Sequence, residues 1–394
     1  MRIAFYSPRS SLLDLELSRG GDPVLLQGLF AALRARGHEI EVVSRLNLRD
    51  LRDGRISLRD LIGEAIAIRR RMKRFSPDAW LVYNTSRTYP DLFGWWQRSS
   101  RYVLLSAHWW QSRKVPKRWR WILSFAHQHS LARADGITVD RPATAARLDR
   151  AVGVAAKVQV LPPAPRRWKH MPSREQARLR LDLGSEVPVV LCLARFPEHS
   201  SWGKTEMVVT LLRVLAELRR DYVLLLVGDD GPARPRVEDE IARLRLEPRV
   251  RFVGPKERER VMGSISNEDV PWFFAAADVY AYPHSGDHPW LSLSEAQACG
   301  RPVVTMRTES SELLIRHGET GLLADDVDEF RSHLGALLSD PERREAMGRA
   351  AYENFVAHHS MERYLDRLEA LLLGQEGAKA RPARWRSRRR LPSS

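Results

Sequence analysis

Cysteine is scarce in this chain of 394 residues, and no apolar segment is long enough to cross a bilayer. Only Cys192 and Cys299 occur, both among apolar neighbours, which is typical of small buried side chains in a reducing compartment. No run approaches the roughly 18 apolar residues of a membrane span. Met1–Tyr6 is too short and too soon polar for a secretory signal and predicts a first strand. These absences favour a cytoplasmic protein without disulfides.

Short internal repeats are also absent, and the sequence instead alternates short apolar strands with amphipathic helices. A charged segment that opens Pro162-Pro163-Ala164-Pro165 divides this alternation into two stretches, and the chain exceeds one ordinary core. We therefore predict an α/β protein with two Rossmann-like domains, each a parallel sheet covered by helices. The predicted divisions are an N-terminal domain 1–165, a connection 166–186, a C-terminal domain 187–355, a last helix 356–373 and a basic disordered tail 374–394.

Acidic residues number 49 against 64 basic ones, so the formal net charge is +15. Such a chain attracts phosphorylated small molecules, anionic lipid or nucleic acid, and the charge alone does not select among them. The tail Gly374–Ser394 holds seven basic residues and one acidic residue. It is either a solvated tail or an adhesive for an anionic membrane surface. Helix-turn-helix, zinc and RNA-binding signatures are lacking, so no nucleic-acid partner is expected.

Candidate functional residues follow the predicted strands of the C-terminal domain, because ligands of parallel α/β sheets bind beyond the carboxyl ends of strands. Arg195 directly follows the apolar run Val187–Ala194, and Lys204 comes shortly after it. Two cations on one such loop suit a pyrophosphate, although they also describe solvated surface. Gly228 opens the stretch Gly228-Asp229-Asp230-Gly231, where glycine lets the backbone approach a ligand. The paired aspartates suggest a metal, but a plain turn is favoured.

Two acidic residues form the second group of candidates. Asp287 lies in a loop after a predicted strand, and Glu295 is expected in the first turn of a helix predicted over Leu293–Ala298. Backbone N–H groups between them, at Ser292 and Leu293, would form an anion site with the helix dipole. Glu295 can accept hydrogen bonds from a pair of sugar hydroxyls, or it is merely a first-turn Glu that the dipole favours.

These residues belong to a longer ordered series of motifs between Val189 and about Leu323. The motifs, in chain order, are Arg195 and Lys204, Gly228, Val253-Gly254, Ala276-Ala277-Asp278-Val279, Tyr282-Pro283, Asp287 to Glu295, Ala296-Gln297-Ala298-Cys299-Gly300-Arg301-Pro302-Val303-Val304 and Gly318-Glu319-Thr320-Gly321-Leu322-Leu323. Through this series the chain resembles the donor-binding domain of family 4 retaining glycosyltransferases (glycosyl transferases group 1). That family has the GT-B fold, in which two Rossmann-like domains face each other across a cleft.

The N-terminal half matches that family more loosely, and the resemblance implies that it binds the acceptor. Its matching motifs are Gly20-Gly21, Arg36-Gly37-His38-Glu39, His108 and Ala134-Asp135-Gly136-Ile137. The implied activity moves a hexosyl or similar sugar from a nucleotide-diphosphate donor to a glycan or lipid-linked acceptor, with retention, in polysaccharide or glycolipid assembly. The nucleotide sugar is a co-substrate, and no cofactor is implied.

The resemblance also implies a role for each candidate residue. Arg195 and Lys204 would neutralise the diphosphate as it leaves, which removes the need for a metal. Asp287 would contact the transferred sugar, and Glu295 would hold the ribose hydroxyls. The remaining implied residues are Gly228, Ser292 and Leu293 in the donor site, Gly20 and Gly21 in an N-terminal loop that approaches the phosphate or the acceptor, and His108 on the acceptor side of the cleft.

The sequence departs from the family pattern at several positions. Asp287 stands where the family has Glu, and Thr205 stands where Gly is common. His288-Pro289-Trp290 replaces a Gly-Phe-Gly-like stretch, and Pro162-Pro163-Ala164 replaces Pro-Asn-Gly. These departures leave the donor's identity open. They also keep in view a non-catalytic GT-B relative that binds or regulates. The net charge of +15 and the Arg-rich tail leave a basic nucleic-acid-binding protein as a further alternative, and a GT-B epimerase is another.

Six of the twelve tryptophans fall between Trp95 and Trp121, with basic residues interleaved. Amphipathic aromatics beside cations suit a membrane interface or a lipid-linked acceptor. They also suit the stacking of sugars or bases, or the ordinary packing of a large helix. The Trp/Arg-rich region 109–121 and the basic tail are thus our candidates for holding a cytoplasmic protein at the inner face of a membrane.

Overall fold

The computed structural model of this chain describes residues 1–9, 21–94, 100–110, 115, 117–165, 168, 170–184, 186–194, 196, 203–228, 231–253, 269–286 and 291–375. Within them, two separate six-stranded sheets are present, and the strand pairings inside both are parallel. The first sheet contains β1 (Arg2–Tyr6), β2 (Glu39–Val42), β3 (Ala79–Tyr83), β4 (Arg101–Leu105), β5 (Gly136–Val139) and β6 (Val158–Val160). Its strand order is β2-β1-β3-β4-β5-β6.

The second sheet lies in the C-terminal half. Its strands are β7 (Val189–Ala194), β8 (Val223–Gly228), β9 (Val250–Val253), β10 (Val279–Tyr282), β11 (Val303–Met306) and β12 (Gly321–Ala324). The order β12-β11-β10-β7-β8-β9 means that the chain starts in the middle, moves to one edge and returns to pair β10 with the other side of β7. Such a reversal opens a crevice beyond the carboxyl ends of the two central strands. The predicted α/β class with two Rossmann-like domains is confirmed.

Helices alternate with these strands and cover both faces of each sheet. Those of the first half are α1 (Gly21–Ala35), α2 (Leu48–Arg52), α3 (Leu58–Phe75), α4 (Lys117–Arg133) and α5 (Pro142–Val152). Those that follow are α6 (Arg174–Arg180), α7 (Lys204–Glu217), α8 (Arg234–Arg243), α9 (Val270–Ala276), α10 (Leu291–Ala298), α11 (Glu309–Leu314), α12 (Val327–Ser339), α13 (Pro341–Asn354) and α14 (Met361–Leu373). A π-helical turn, Phe355–His359, separates the last two.

The N-terminal sheet is buried on both faces because successive side chains of a strand point to opposite sides. Ile3 and Phe5 of β1 pack in one apolar layer, and Ala4 and Tyr6 pack in the other. The first layer is completed by α1 and, from the far end of the sequence, by α14. The second is completed by residues of α3, α4 and α5.

Helix α14 therefore packs against the N-terminal domain, although the chain reaches it after leaving the C-terminal one. Leu368 and Leu372 share the apolar layer of Ile3. The Arg367 guanidinium donates to the Val160 carbonyl over 2.6 Å, and Arg36 pairs with Glu369 over 2.8 Å. The helix predicted over 356–373 begins at Met361 in the structure, and its apolar side chains belong to the core of the N-terminal domain.

Helix α6, within the connection between the domains, is fixed to the C-terminal domain by a buried carboxylate. Asp278, just before β10, accepts hydrogen bonds from Arg178 over 2.6 Å, from Arg174 over 2.7 Å and from the Val189 backbone N–H over 2.7 Å. Arg178 and Asp278 are both buried, so each leaves water only because the other compensates its charge. The Ala-Ala-Asp-Val motif thus has a structural role at the amino end of β10.

Breaking this pair should be strongly destabilising. We expect Asp278→Asn to lower the free energy of unfolding by about 3–5 kcal/mol, because the buried Arg178 charge loses its counter-ion. Chemical denaturation followed by circular dichroism measures the change. The matched control is Asp328→Asn, which removes an exposed carboxylate paired with Arg331 and should leave the midpoint unchanged. Equal midpoints for the two variants would contradict the assignment.

Candidate active site

The crevice of the C-terminal sheet lies where β7 and β10 adjoin. Their pairing joins Val279 to Val190 and Tyr280 to Leu191, so both strands end at the same edge. Helix α7 begins soon after β7 and helix α10 soon after β10. Of the predicted cations and acids, Lys204 and Glu295 lie on these two helices. Arg195 and Asp287 lie outside the described residues, as does Gly20.

Lys204 is the first residue of α7 and follows Gly203, whose φ of 59° lies in the left-handed region that glycine adopts without strain. Its ammonium is close enough to β7 to act on Cys192. Burial raises the pKa of the Cys192 thiol to about 12, and the nearby Lys204 charge opposes that rise. Lys204 therefore places a positive charge at a helix N-terminus, where the backbone N–H groups already favour an anion.

Gly228 ends β8 beside the end of β7, and the packing there explains why it is glycine. A Cβ atom at this position would lie 2.3 Å from the Ala194 carbonyl oxygen and 2.7 Å from the Phe196 ring. Both contacts are too short for a side chain to be accommodated. The close approach of two strand ends thus requires Gly228 independently of any bound ligand.

Aromatic side chains line β10 up to the crevice. Tyr280 and Tyr282 stack at 5.9 Å between ring centroids, and Tyr282 stacks on His284 at 5.8 Å. The His284 Nδ1 atom accepts a hydrogen bond from the Gly286 backbone N–H over 2.7 Å. A Cβ atom at Gly286 would lie 2.3 Å from the imidazole, so only glycine permits this tight turn. The turn sets the direction in which the chain leaves β10.

Helix α10 begins at Leu291, two residues earlier than predicted, so the expectation for Glu295 was wrong in one respect. Glu295 lies in the second turn, and the first turn has no acidic residue. The helix dipole therefore does not by itself account for a Glu at this position. The Glu295 side chain is half-buried and close enough to Tyr280 and Cys299 to raise the pKa of each, after the larger effect of burial.

Ser292 and Leu293 occupy the first turn of α10. The Ser292 side chain lies beside the buried Tyr280 hydroxyl, which makes no hydrogen bond of normal geometry. Leu293 is fully buried in the core of the domain, so only its backbone can face a ligand. Both residues thus stand where the sequence interpretation requires free backbone N–H groups.

A buried amide network holds the rear of α10, and sequence reasoning did not find it. The Gln297 side chain donates to the Leu314 carbonyl over 2.7 Å and accepts from the Asn354 amide over 3.1 Å. Asn354 also donates to the Leu314 carbonyl over 3.3 Å. These bonds join α10 to the ends of α11 and α13, so they fix how Glu295 is presented.

On the N-terminal side, His108 lies beyond the carboxyl end of β4 in a cluster of polar side chains. Its Nε2 atom lies 3.4 Å from the Ser106 hydroxyl and 3.8 Å from an oxygen of Asp140, which follows β5. Ser106 in turn donates to Asp140 over 2.7 Å. Ser106 and Asn84 have φ values of 57° and 60°, which is strained for residues other than glycine. Two adjoining strands therefore end in strained residues at this site.

His127 of α4 positions the backbone of His108 and was not singled out from the sequence. Its Nε2 atom lies 2.8 Å from the His108 carbonyl oxygen, and the His108 backbone N–H donates to the Thr85 carbonyl over 2.8 Å. His127 is fully buried, and burial lowers its pKa to about 3. A neutral His127 therefore donates this bond at physiological pH.

Two kinds of feature, a metal site and a membrane-spanning helix, were sought among the described residues. Among them, no group of three or more His, Cys, Asp or Glu side chains is arranged to hold a metal ion. No helix in the described ranges is long and apolar enough to cross a membrane. Gly21 is the first residue of α1.

Comparison with known proteins identifies the family of the domain that contains this crevice. Residues 187–340 match the family model described as glycosyl transferases group 1. The C-terminal domain belongs to this family. The group 1 domain spans β7 to α12 and therefore includes Lys204 and Glu295.

Two proteins to which this chain is similar have glycosyltransferase names. One is the GDP-mannose-dependent alpha-(1-6)-phosphatidylinositol monomannoside mannosyltransferase of Mycolicibacterium smegmatis, 32% identical over 55% of this chain and 56% of the relative. The other is the lipopolysaccharide core biosynthesis glycosyltransferase LpsE of Rhizobium meliloti, 29% identical over 50% of this chain and 52% of the relative. The matches span little more than half the length of these curated relatives.

A solved structure extends the likeness to both domains. The chain superimposes on Anabaena Alr3699/HepE in complex with UDP-glucose with a TM-score of 0.66 and 19% identity, over 95% of this chain and 100% of the other. At that identity the likeness establishes the fold. The predicted GT-B architecture is confirmed.

The buried His127 leads to a prediction about pH. Its pKa is near 6.5 when unfolded and about 3 when folded, so the unfolded state binds more protons between these values. Its contribution is complete above pH 6.5 and falls by about 1.4 kcal/mol per unit as pH drops toward 4. We expect His127→Gln to flatten the stability profile over this window, as measured by denaturation at several pH values. His170→Gln, which changes an exposed histidine, should retain the wild-type dependence of stability on pH. If His127→Gln retains it as well, the prediction that His127 is buried in its neutral form is wrong.

Proposed function

We propose that this chain is a glycosyltransferase that moves a hexosyl or similar sugar from a nucleoside diphosphate donor to a glycan or lipid-linked acceptor. One observation carries the proposal: Lys204 and Glu295 lie on the helices that follow β7 and β10, the two strands at which the strand order reverses. The domain that brings them together belongs to the group 1 family. The crevice at such a reversal is where ligands of this type of sheet bind.

The donor diphosphate is proposed to bind between these two helices. Lys204 and the N-terminus of α7 would face the phosphates, and Arg195 would add a bidentate guanidinium. As the bond between sugar and phosphate breaks, the leaving diphosphate gains negative charge, and these fixed positive groups stabilise it. Loss of one such group from an active site costs about 10²–10³ in rate. Charge stabilisation by the chain's own residues is the basis for proposing a metal-independent reaction.

Glu295 is proposed to accept hydrogen bonds from the ribose hydroxyls of the donor. A carboxylate accepts from two neighbouring hydroxyls at once, and the Gln297–Asn354 network on the opposite side of α10 holds it in place. Ser292 and Leu293 would supply backbone N–H groups, and Asp287 would contact the transferred sugar. Gly228 allows the close strand ends beneath the site.

His108 is proposed to face the acceptor from the N-terminal domain. Its backbone is fixed at both ends, by Thr85 and by His127, and its ring lies beside Asp140. Gly21, at the start of α1, and the preceding Gly20 would approach the phosphate or the acceptor. The relatives whose names include a phosphatidylinositol mannoside and lipopolysaccharide support an acceptor with a lipid part. We therefore place the protein in the cytoplasm, peripheral to a membrane that region 109–121 and the basic tail would contact.

Nucleotide binding provides the first test. We expect one of GDP, UDP and their sugar conjugates to raise the melting temperature by about 5 °C at a hundred times its Kd, because it binds only the folded state. Lys204→Met and Glu295→Gln should reduce this shift sharply. Arg343→Met and Glu342→Gln, which change exposed residues of α13, should not. A shift that survives in all four variants would move the donor site elsewhere, and no shift at all would favour a non-catalytic relative.

Transfer itself tests the chemistry. With the donor identified above, we expect turnover to persist in excess EDTA, because Arg195 and Lys204 rather than a metal neutralise the leaving group. Proton NMR of the product should show the anomeric configuration of the donor. Loss of activity in EDTA that Mg²⁺ or Mn²⁺ restores would contradict metal independence. An inverted anomeric centre would contradict retention without affecting the donor site.

A further inference from the structure

The outward face of α3 carries a stripe of large aliphatic side chains that the other described residues leave largely exposed. Leu58, Ile62 and Ile66 are 63%, 56% and 50% exposed. Their spacing of four residues aligns them on one side of the helix. The opposite side of α3 is buried in the N-terminal core through Ile68 and Met72. Single exposed aliphatic side chains are ordinary, but three neighbouring ones on one face of a helix indicate a surface that contacts an apolar partner.

Positively charged side chains lie further along α3, toward its C-terminal end. Arg69, Arg70 and Lys73 are exposed, and within the described residues none of them forms an ion pair. Their neighbours differ, since Arg71 pairs with Glu64 over 3.3 Å and Arg74 with Glu41 over 3.5 Å. The aliphatic stripe is therefore followed by cations that remain available to an anionic partner.

Helix α4 presents a second apolar stripe. Trp121 and Phe125 are 69% and 66% exposed, and Phe125 stacks on His129. The helix has no acidic residue along its whole length. The buried sides of α3 and α4 belong to the same apolar layer, so both helices cover the same face of the N-terminal sheet.

We propose that α3, assisted by α4, docks the N-terminal domain onto an anionic phospholipid bilayer. Helices that lie in a membrane interface combine an apolar face with lysine and arginine, which is the arrangement seen here. Anionic lipid headgroups attract each cation, and the acyl boundary accepts the aliphatic side chains. A second copy of the chain fits less well, because a two-fold contact would bring two positively charged faces together. Nucleic acid fits less well because its phosphates offer nothing to Leu58, Ile62 and Ile66.

The position of α3 connects this face to the acceptor side of the site. The helix joins two parallel strands, β2 and β3, so it runs against them and starts at the carboxyl edge of the sheet. Its last residue, Phe75, lies at the other edge, under Arg2 at the start of β1. His108 is at the carboxyl edge, as is Leu58. The link between α3 and the acceptor side rests on the proposed function, because it assumes that the docked lipid surface supplies the acceptor.

Vesicle cosedimentation of the full chain tests the proposal. We expect binding to phosphatidylglycerol vesicles, weak binding to phosphatidylcholine vesicles, and a loss of about tenfold or more in the partition coefficient for Ile62→Ser with Ile66→Ser. The matched control is Leu179→Ser with Val327→Ser, which removes two exposed aliphatics on α6 and α12, outside the N-terminal domain, and should leave binding unchanged. Equal binding of both double variants would overturn the proposal.

A second pair of variants tests the charges. Arg69→Gln with Arg70→Gln should weaken binding to anionic vesicles about 20-fold, because each cation near such a surface favours binding. Arg343→Gln with Arg349→Gln should leave it unchanged. The nucleotide-dependent rise in melting temperature should persist in every α3 variant, so a failed donor site and a failed docking face give different results. Binding that is lost on deleting 376–394 but unaffected by the α3 variants would overturn the proposal, as would a dimer that only those variants dissociate.

Discussion

The pairing of β10 with β7 is the constraint on which the rest of the C-terminal domain depends. Only Val279 and Tyr280 of β10 pair with β7, so the short contact needs support. Asp278 supplies it by accepting the Val189 N–H and by drawing in Arg178 from the connection between the domains. The crevice therefore opens at one end of these strands while a buried ion pair holds the other. The proposed ligand site and the buried ion pair thus lie at opposite ends of the same strand, β10.

In both domains, buried polar groups hold the elements that carry the candidate site residues. Gln297 and Asn354 hold the helix that carries Glu295, and His127 holds the backbone of His108. Each of these groups is removed from water and hydrogen-bonded, so displacing it leaves an unpaired polar atom that costs about 1–3 kcal/mol. That cost makes the positions of the candidate functional side chains well defined. The residues with positive φ at the ends of β3 and β4 are also hydrogen-bonded: the Asn84 N–H donates to the Leu105 carbonyl and the Ser106 N–H donates to the Thr138 hydroxyl.

Local patterns predicted most of the fold, because a strand's apolar run and a helix's period are properties of neighbouring residues. Lys204 and Glu295 followed from the rule that ligands bind beyond strand ends. The network of Gln297 could not be predicted, since its partner Asn354 is 57 residues away and only the tertiary structure joins them. His127 was missed because a histidine inside a helix gives no sign of being buried. The start of α10 was placed two residues late because Leu291 and Ser292 suit a loop as well as a first helical turn.

The net charge of +15 illustrates why composition alone selects no partner. Part of the positive charge is internal: Arg178 is buried against Asp278 and cannot attract a ligand from solution. Another part, at Lys204, lies at a helix N-terminus within a crevice, where it favours a compact anion. A third part, on α3, lies beside exposed aliphatic side chains, where it favours an extended anionic surface. The neighbours of each cation thus decide what it can bind. The net positive charge, which is a single number for the sequence, corresponds to three different environments in the structure.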